Sequence, residues 1–287
     1  MKIPTRAAIA AAALMLTLSA CGGGTPETAS TGTSGTPAGT ASSPPASSAK
    51  APEATPSPTP DASPSPSGTA KAYRMNKVYD IVPIDKSASE SKVVLLTFDD
   101  GPKSEKTLLP LLDTLDKHNA KAIFFVNGYR VKAHPELLKL IDDRGQTIGN
   151  HSWDHIQLGK EKADTIEDQI GRVQTIVKEV TGKTPAFFRP PNASANPDVH
   201  AIAKKHDLLF MTWSNGSLDW ALGSKTQDKP QAVIDNVLKQ LRPGSNILMH
   251  ELPWTGEALD RLLDALEQKG YSFVDPSAIE LETGDPQ

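Results

Sequence analysis

The stretch VVLLTFDDGP, residues 93–102, runs from an apolar segment into two adjacent carboxylates and then a Gly-Pro turn. Val93–Phe98 has the length and continuity of a buried strand. Asp99 and Asp100 therefore stand where a strand ends, and two like charges side by side repel unless each has a separate partner. Six further short apolar runs follow: KAIFFV (121–126), QTIGNHS (146–152), PAFFRPP (185–191), LLFMTWS (208–214), NILMH (246–250) and YSFVD (271–275). Amphipathic stretches lie between them, at residues 107–119, 135–145, 164–182, 197–207, 230–241 and 256–270. The first reads as a helix capped by Thr107, with Pro110 tolerable only in its opening turn. Asn127-Gly128 closes the second strand. Pro135 opens a helix that Gly145 ends. Asp164 and Glu167 have capping-box spacing, with Gly182 at the far end of that helix.

Strand and helix alternate about seven times, which places the chain in the α/β class with parallel strands and crossover helices. A closed or nearly closed βα barrel fits this count, and a doubly wound open sheet is the alternative. Both put functional sites at the C-terminal ends of strands. The unusual polar residues gather at those positions: Asp99-Asp100, His151, Arg189, Asp219 and His250.

The rest of the 287-residue chain is organised differently. Lys2 and Arg6 precede a twelve-residue apolar segment, Ala7–Leu18, of the length of a secretory signal and too short for a membrane span. It ends in LSAC, which resembles the lipobox of bacterial lipoproteins, with Cys21 as the lipid-modified residue. Cys21 is the single cysteine, so a disulfide within the chain is excluded. Residues 1–20 are thus expected to be a signal peptide. Residues 21–72 are expected to be a disordered linker, because residues 22–71 hold ten of the 24 prolines and no Val, Leu, Ile, Met or aromatic residue. As a flexible coil such a tether spans roughly 40 Å, and about 150 Å if drawn toward polyproline. Residues 73–287 suffice for one folded domain. The net charge of −4 offers no basic stripe, so a nucleic-acid partner is not expected.

The segment HSWDH sets His151 and His155 four residues apart, on one face if helical or converging in a tight loop. Histidine is a common metal ligand. A catalytic zinc site keeps three protein ligands and one open position, and a carboxylate from the Asp99-Asp100 pair can supply the third. One acid would then bind the metal while the other stays free as a general base. The competing reading has both acids capping the next helix and binding nothing.

TFDDGP, HSWDH, RPPN, LDW and LMH occur in the order and approximate spacing of the five motifs of polysaccharide deacetylases, and the chain resembles that family from about Val93 to Phe273. The resemblance implies a distorted (β/α) barrel. It implies Asp99 as general base, with Asp100, His151 and His155 as ligands of a divalent metal, usually zinc, with cobalt or another divalent ion possible. Arg189 would pair with the base and orient it, and Asp219 would orient and tune His250, the general acid. Trp220 and Leu248 would line the pocket for the acetyl methyl group, and the backbone N–H of Asn192 would help form the oxyanion hole. Two departures stand out. Asn192 and Ala193 replace the Tyr-Gly of the third motif, and Gly216 replaces the first Asp of the fourth. Activity is expected to persist, with the groove wall altered.

The expected protein is a monomeric, extracytoplasmic lipoprotein, anchored to the cell membrane through Cys21, that deacetylates an N-acetylated polysaccharide. Peptidoglycan, through its GlcNAc or MurNAc residues, is the expected substrate. Chitin, chitooligosaccharide or acetylated xylan is the alternative, and a non-catalytic carbohydrate-binding lipoprotein is a second. Among the remaining residues, His118, His134, His200 and His206 read as solvated or structural and Trp213 as core. Trp254 divides evenly between stacking on a sugar and packing, and Glu251 reads as a supporting or solvated residue.

Overall fold

The computed structural model describes residues 70–281, so the signal segment, Cys21 and nearly all of the proline-rich stretch lie outside the described residues. An antiparallel pair, β1 (Tyr73–Met75) and β2 (Ile81–Pro83), comes first. Ala72 just ahead of it already donates to the Ala278 carbonyl at 2.9 Å. Strand β3 (Val93–Gly101) follows, then helix α1 (Glu105–Lys117), β4 (Ala122–Val126), the short helix α2 (Gly128–Ala133), α3 (Pro135–Asp143) and β5 (Thr147–Asn150). After them come α4 (Ala163–Thr181), β6 (Phe187–Phe188), α5 (Pro197–Lys205), β7 (Leu209–Phe210) and β8 (Asn215–Gly216). The domain finishes with α6 (Lys229–Gln240), β9 (Ser245–His250), α7 (Pro253–Gln268) and β10 (Ser272–Phe273).

The strands of the main sheet are parallel and ordered β7-β6-β5-β4-β3-β9-β8, with β10 beside the start of β3. This order decides between the two architectures. The sheet's two edges are β7 and β8, and only Met211–Ser214 separates them in sequence. At about 3.5 Å per residue the edges lie within roughly 20 Å of each other, so the sheet must curl. Thr212 spans the gap, its carbonyl accepting from Arg189 at 2.7 Å and from Asn246 at 3.1 Å. The result is the distorted, incompletely closed (β/α) barrel of seven strands. The run LLFMTWS, expected as one strand, is the seam itself: Leu209–Phe210 pairs with β6, and the chain then crosses to β9 through Asn215–Gly216.

Period-two alternation assigns the faces. Val94, Leu96 and Phe98 of β3 pack outward with Phe124, Ile247 and the helices, while Leu95 lies inside with Ile123, Phe125 and Met211. Continuing that parity, Thr97 and Asp99 face the interior, as do Asn246, Leu248 and His250 of β9. The site grows out of the barrel core.

Local differences have local causes. Helix α1 starts at Glu105 and not at Thr107, so Pro110 falls beyond the first turn and forgoes one helical bond on an exposed face. Helix α4 starts at Ala163 with Lys162 as its cap residue and no side-chain cap bond. The Asp164/Glu167 capping box therefore does not form, and Asp164 sits in the first turn, where the helix dipole favours it. Helix α2 was invisible to periodicity because it has only six residues.

Candidate active site

Asp99 and Asp100 separate because the strand is distorted between them. The β3–β4 register shifts between Asp99 and Gly101, and Asp100 takes φ of 67°. A bulge of this kind re-aims one side chain relative to its neighbour. Asp99 keeps the inward direction and is 3% exposed. Its Oδ1 accepts from Arg189 Nη1 at 2.7 Å. Asp100 turns to the HSWDH loop, its Oδ1 lying 3.1 Å from His155 Nε2 and 3.5 Å from His151 Nε2. The competing reading, with both acids capping the next helix, is not what forms: α1 takes its contacts from Glu251, as described below.

Arg189 is wholly buried. Besides Asp99 it donates to the Thr97 hydroxyl at 2.8 Å, the Thr212 carbonyl at 2.7 Å and Asn246 Oδ1 at 3.3 Å, and its guanidinium lies 4.3 Å from the Phe125 ring centroid. A buried charge needs this many partners. Thr97 and Asn246 are support residues that sequence reasoning missed. Their signal was parity, since both share the inward face with Asp99 and His250.

HSWDH is a loop rather than a helix, with Ser152 and His155 at positive φ. Asn127 and the start of α2 hold it: Asn127 Nδ2 donates to the His151 carbonyl at 2.8 Å, Gly128 N–H to Ser152 and Tyr129 N–H to Trp153, both at 3.2 Å. His151 Nδ1 lies 2.7 Å from the Arg189 carbonyl, which only accepts. That fixes the proton on Nδ1 and leaves the Nε2 lone pair facing the acids. Burial lowers the His151 pKa, against the opposing charges of Asp99 and Asp100, and so favours the neutral ring. Burial by itself would raise the Asp100 pKa, but the His155 and His151 rings outweigh it and hold the carboxyl well below its ordinary 3.8.

These atoms test the site for a cation. One ligand atom each from Asp100, His151 and His155 lies within 4.8 Å of the others. Asp100 Oδ1 is buried and accepts no aligned hydrogen bond. The Asp100 carboxylate, the His151 Nε2 lone pair and the His155 ring thus converge on one point, which fits a divalent cation.

Asp219 is fully buried and saturated with donors. His250 Nδ1 lies 2.7 Å from Oδ1, and Oδ2 accepts from the His250 N–H and the Thr255 hydroxyl, each at 2.7 Å. Burial acts to lower the His250 pKa, but the hydrogen bond and charge of Asp219 prevail and set it above 6.5. A cavity of about 220 Å³ is lined by Asp99, Asp100, His151, His155 and His250 together with Trp213, Trp220, Leu248 and Pro190. Asn192, at φ of 55°, stands on its rim. Trp220, which lines the cavity, is 61% exposed. Trp213, expected in the core, is part of this wall because the strand it was assigned to ends at the seam. Trp254 packs instead, its indole N–H donating to the Asp219 carbonyl at 3.0 Å and Lys229 lying over its ring. His118 and His206 bind surface carboxylates, and His200 packs on Phe210.

Fold and donor set together define a (β/α)-barrel protein with a candidate metal centre at its strand ends. The chain belongs to the polysaccharide deacetylase family, whose model matches residues 86–211. It is 38% identical to the peptidoglycan-N-acetylglucosamine deacetylase PgdA of Listeria monocytogenes over 67% of this chain, and spans only 40% of that protein's length. It is 34% identical to the peptidoglycan-N-acetylmuramic acid deacetylase PdaA of Bacillus subtilis, over 64% of this chain and 70% of the relative. Among solved structures, BA3943 of Bacillus anthracis, a CE4 family pseudoenzyme, superposes with a TM-score of 0.62 at 28% identity, over 67% of each chain.

Proposed function

We propose that this chain is a metal-dependent hydrolase that removes N-acetyl groups from a polysaccharide, with cell-wall peptidoglycan, at GlcNAc or MurNAc, as its substrate. The observation that carries this reading is the divergence of the adjacent acids, Asp99 to Arg189 and Asp100 to two histidines. The naming of relatives as peptidoglycan deacetylases supports the substrate class.

Asp100, His151 and His155 would hold a divalent cation, zinc in our reading, which when bound acidifies water and polarises an acetyl carbonyl. Arg189 occupies Asp99 Oδ1 and orients the carboxylate, so Oδ2 remains to take the proton of the attacking water. In this reading the Asn192 N–H donates to the developing oxyanion. Trp220 and Leu248 supply an apolar wall for the acetyl methyl. The leaving amine is a poor leaving group and must be protonated. His250, with Nδ1 committed to Asp219, has Nε2 for that transfer. Water adds to the carbonyl, the C–N bond breaks, and the products are acetate and a sugar bearing a free amine.

Mature location is part of the proposal: a lipid on Cys21 and the proline-rich tether would hold a monomeric domain outside the cytoplasmic membrane. Its support is the basic start, the apolar segment and LSAC. A non-catalytic reading has one observation in its favour, the fold shared with a pseudoenzyme. Against it, candidates for base and acid and all three candidate metal ligands line one cavity in this chain, with Arg189 and Asp219 bonded behind the base and the acid.

The test is acetate release from peptidoglycan, N-acetylated chitooligosaccharide and acetylated xylan, with and without chelator. Release from peptidoglycan that chelator stops and zinc or cobalt restores is expected. No acetate from any of the three, even with added metal, would overturn the hydrolase reading. Release from the chitooligosaccharide or xylan alone would move the substrate.

A further inference from the structure

Glu251 follows His250 in sequence and is 1% exposed. A carboxylate is costly to bury unless donors surround it. Here they all come from one place. The Lys103 N–H reaches both carboxylate oxygens at 3.0 Å, the Ser104 N–H reaches Oε1 at 3.1 Å, and the Thr107 hydroxyl donates to Oε1 at 2.6 Å. These groups form the entry to α1, where backbone N–H groups lack helical partners. Ser104, the residue in the cap position, makes no side-chain cap bond itself. The end of β9 supplies the acceptor instead.

The contact extends to the loop that carries the paired acids. The Glu251 N–H points at the Asp99 carbonyl at 3.4 Å. A Cβ added at Gly101 would come within 2.8 Å of Glu251 Oε2, so the carboxylate rests directly on the Gly101 backbone. Burial raises the Glu251 pKa while the Thr107, Ser104 and Lys103 donors oppose that. Every polar neighbour named here donates, which is the environment an ionised carboxylate requires. Glu251 does not line the cavity, so it acts through other residues rather than on substrate.

We propose that Glu251 is a positioning residue whose carboxylate ties the β3–α1 loop, and with it Asp99 and Asp100, to the strand end that carries His250. The proposal rests on the deacetylase reading, in which base and acid serve the same amide and their spacing limits the rate. Supporting groups of this kind commonly change activity or metal affinity by about 10–100-fold when removed.

The test compares the parent chain with Glu251→Gln, Glu251→Ala and Thr107→Val. The readouts are kcat and KM for acetate release from an N-acetylated chitooligosaccharide or peptidoglycan, Co²⁺ affinity of metal-stripped protein by visible absorption, and the thermal midpoint. Glu251→Gln presents an amide NH₂ to groups that are themselves donors. We expect its kcat to fall about tenfold or more with KM nearly constant, Co²⁺ binding to weaken by a similar factor, and Thr107→Val to fall between. Parental kcat and parental Co²⁺ affinity in Glu251→Gln, with only a lowered thermal midpoint, would identify a helix cap and overturn the proposal. Should Glu251→Ala fail to fold, Glu251→Gln and Thr107→Val decide. Should the parent release no acetate, the deacetylase reading fails, and Co²⁺ affinity still decides: weakened binding supports positioning, parental binding overturns it.

Discussion

Each ionisable group at the centre of the site is held by a partner that settles its task. Asp219 shows this most clearly. It binds His250 through both the ring and the backbone N–H, so one carboxylate sets orientation and proton affinity together. The sign of the effect is testable. His250 must be protonated to serve as acid, so activity persists below its pKa and is lost above it. With Asp219 present that pKa lies above 6.5. In Asp219→Asn the charge is gone and burial dominates, so the alkaline limb of kcat/KM should move down by about 1–3 pH units, read from the pH profile. An unmoved limb would remove His250 from the role of acid.

At the scale of elements, the site depends on short connections more than on the long helices. The first turn of α2 is an example, because its backbone holds the carbonyls of residues 152 and 153. A Cβ at Gly128 would overlap the Trp153 ring, which also carries the Arg172 guanidinium over it. Gly128→Ala should therefore displace the HSWDH loop, lowering the thermal midpoint by an amount equivalent to about 1–3 kcal/mol and weakening metal binding. Calorimetry and a Co²⁺ titration check both, and a parental Co²⁺ affinity would mean the loop does not need this contact. The same scale explains what was legible in the sequence. The paired acids, HSWDH, Arg189, Asp219 and His250 were readable because motif order and strand-end position both mark them. The inward faces of β3 and β9 were not read, because both runs are apolar on both faces and look like continuous buried strands. The seam at Met211–Ser214 was not readable, because an apolar run looks the same whether it stays in one strand or crosses between edges. Glu251 was equally hidden: its partners are some 145 residues away, and no local pattern announces a cap supplied from another strand.

On the scale of the whole molecule, the described domain contains no helix long and apolar enough to cross a membrane. The membrane attachment proposed is through a lipid on Cys21, which lies outside the described residues. The full-length chain made in a bacterial host should partition into the detergent phase, and Cys21→Ala should move it to the aqueous phase. Equal partitioning of the two would refute a lipid at that position. The barrel gathers its candidate site side chains from β3, β9 and the segments after β5, β6 and β8, so distant parts of the sequence meet around one cavity. The proposed mechanism depends above all on the separation of Asp99 from Asp100. The most direct measurement is metal content by mass spectrometry together with acetate release, in Asp99→Asn and Asp100→Asn side by side. The expected result is near-parental metal in Asp99→Asn with turnover reduced by about 10²–10⁴-fold, and metal depleted in Asp100→Asn. Equal metal loss in both variants, or turnover that survives in Asp99→Asn, would contradict it.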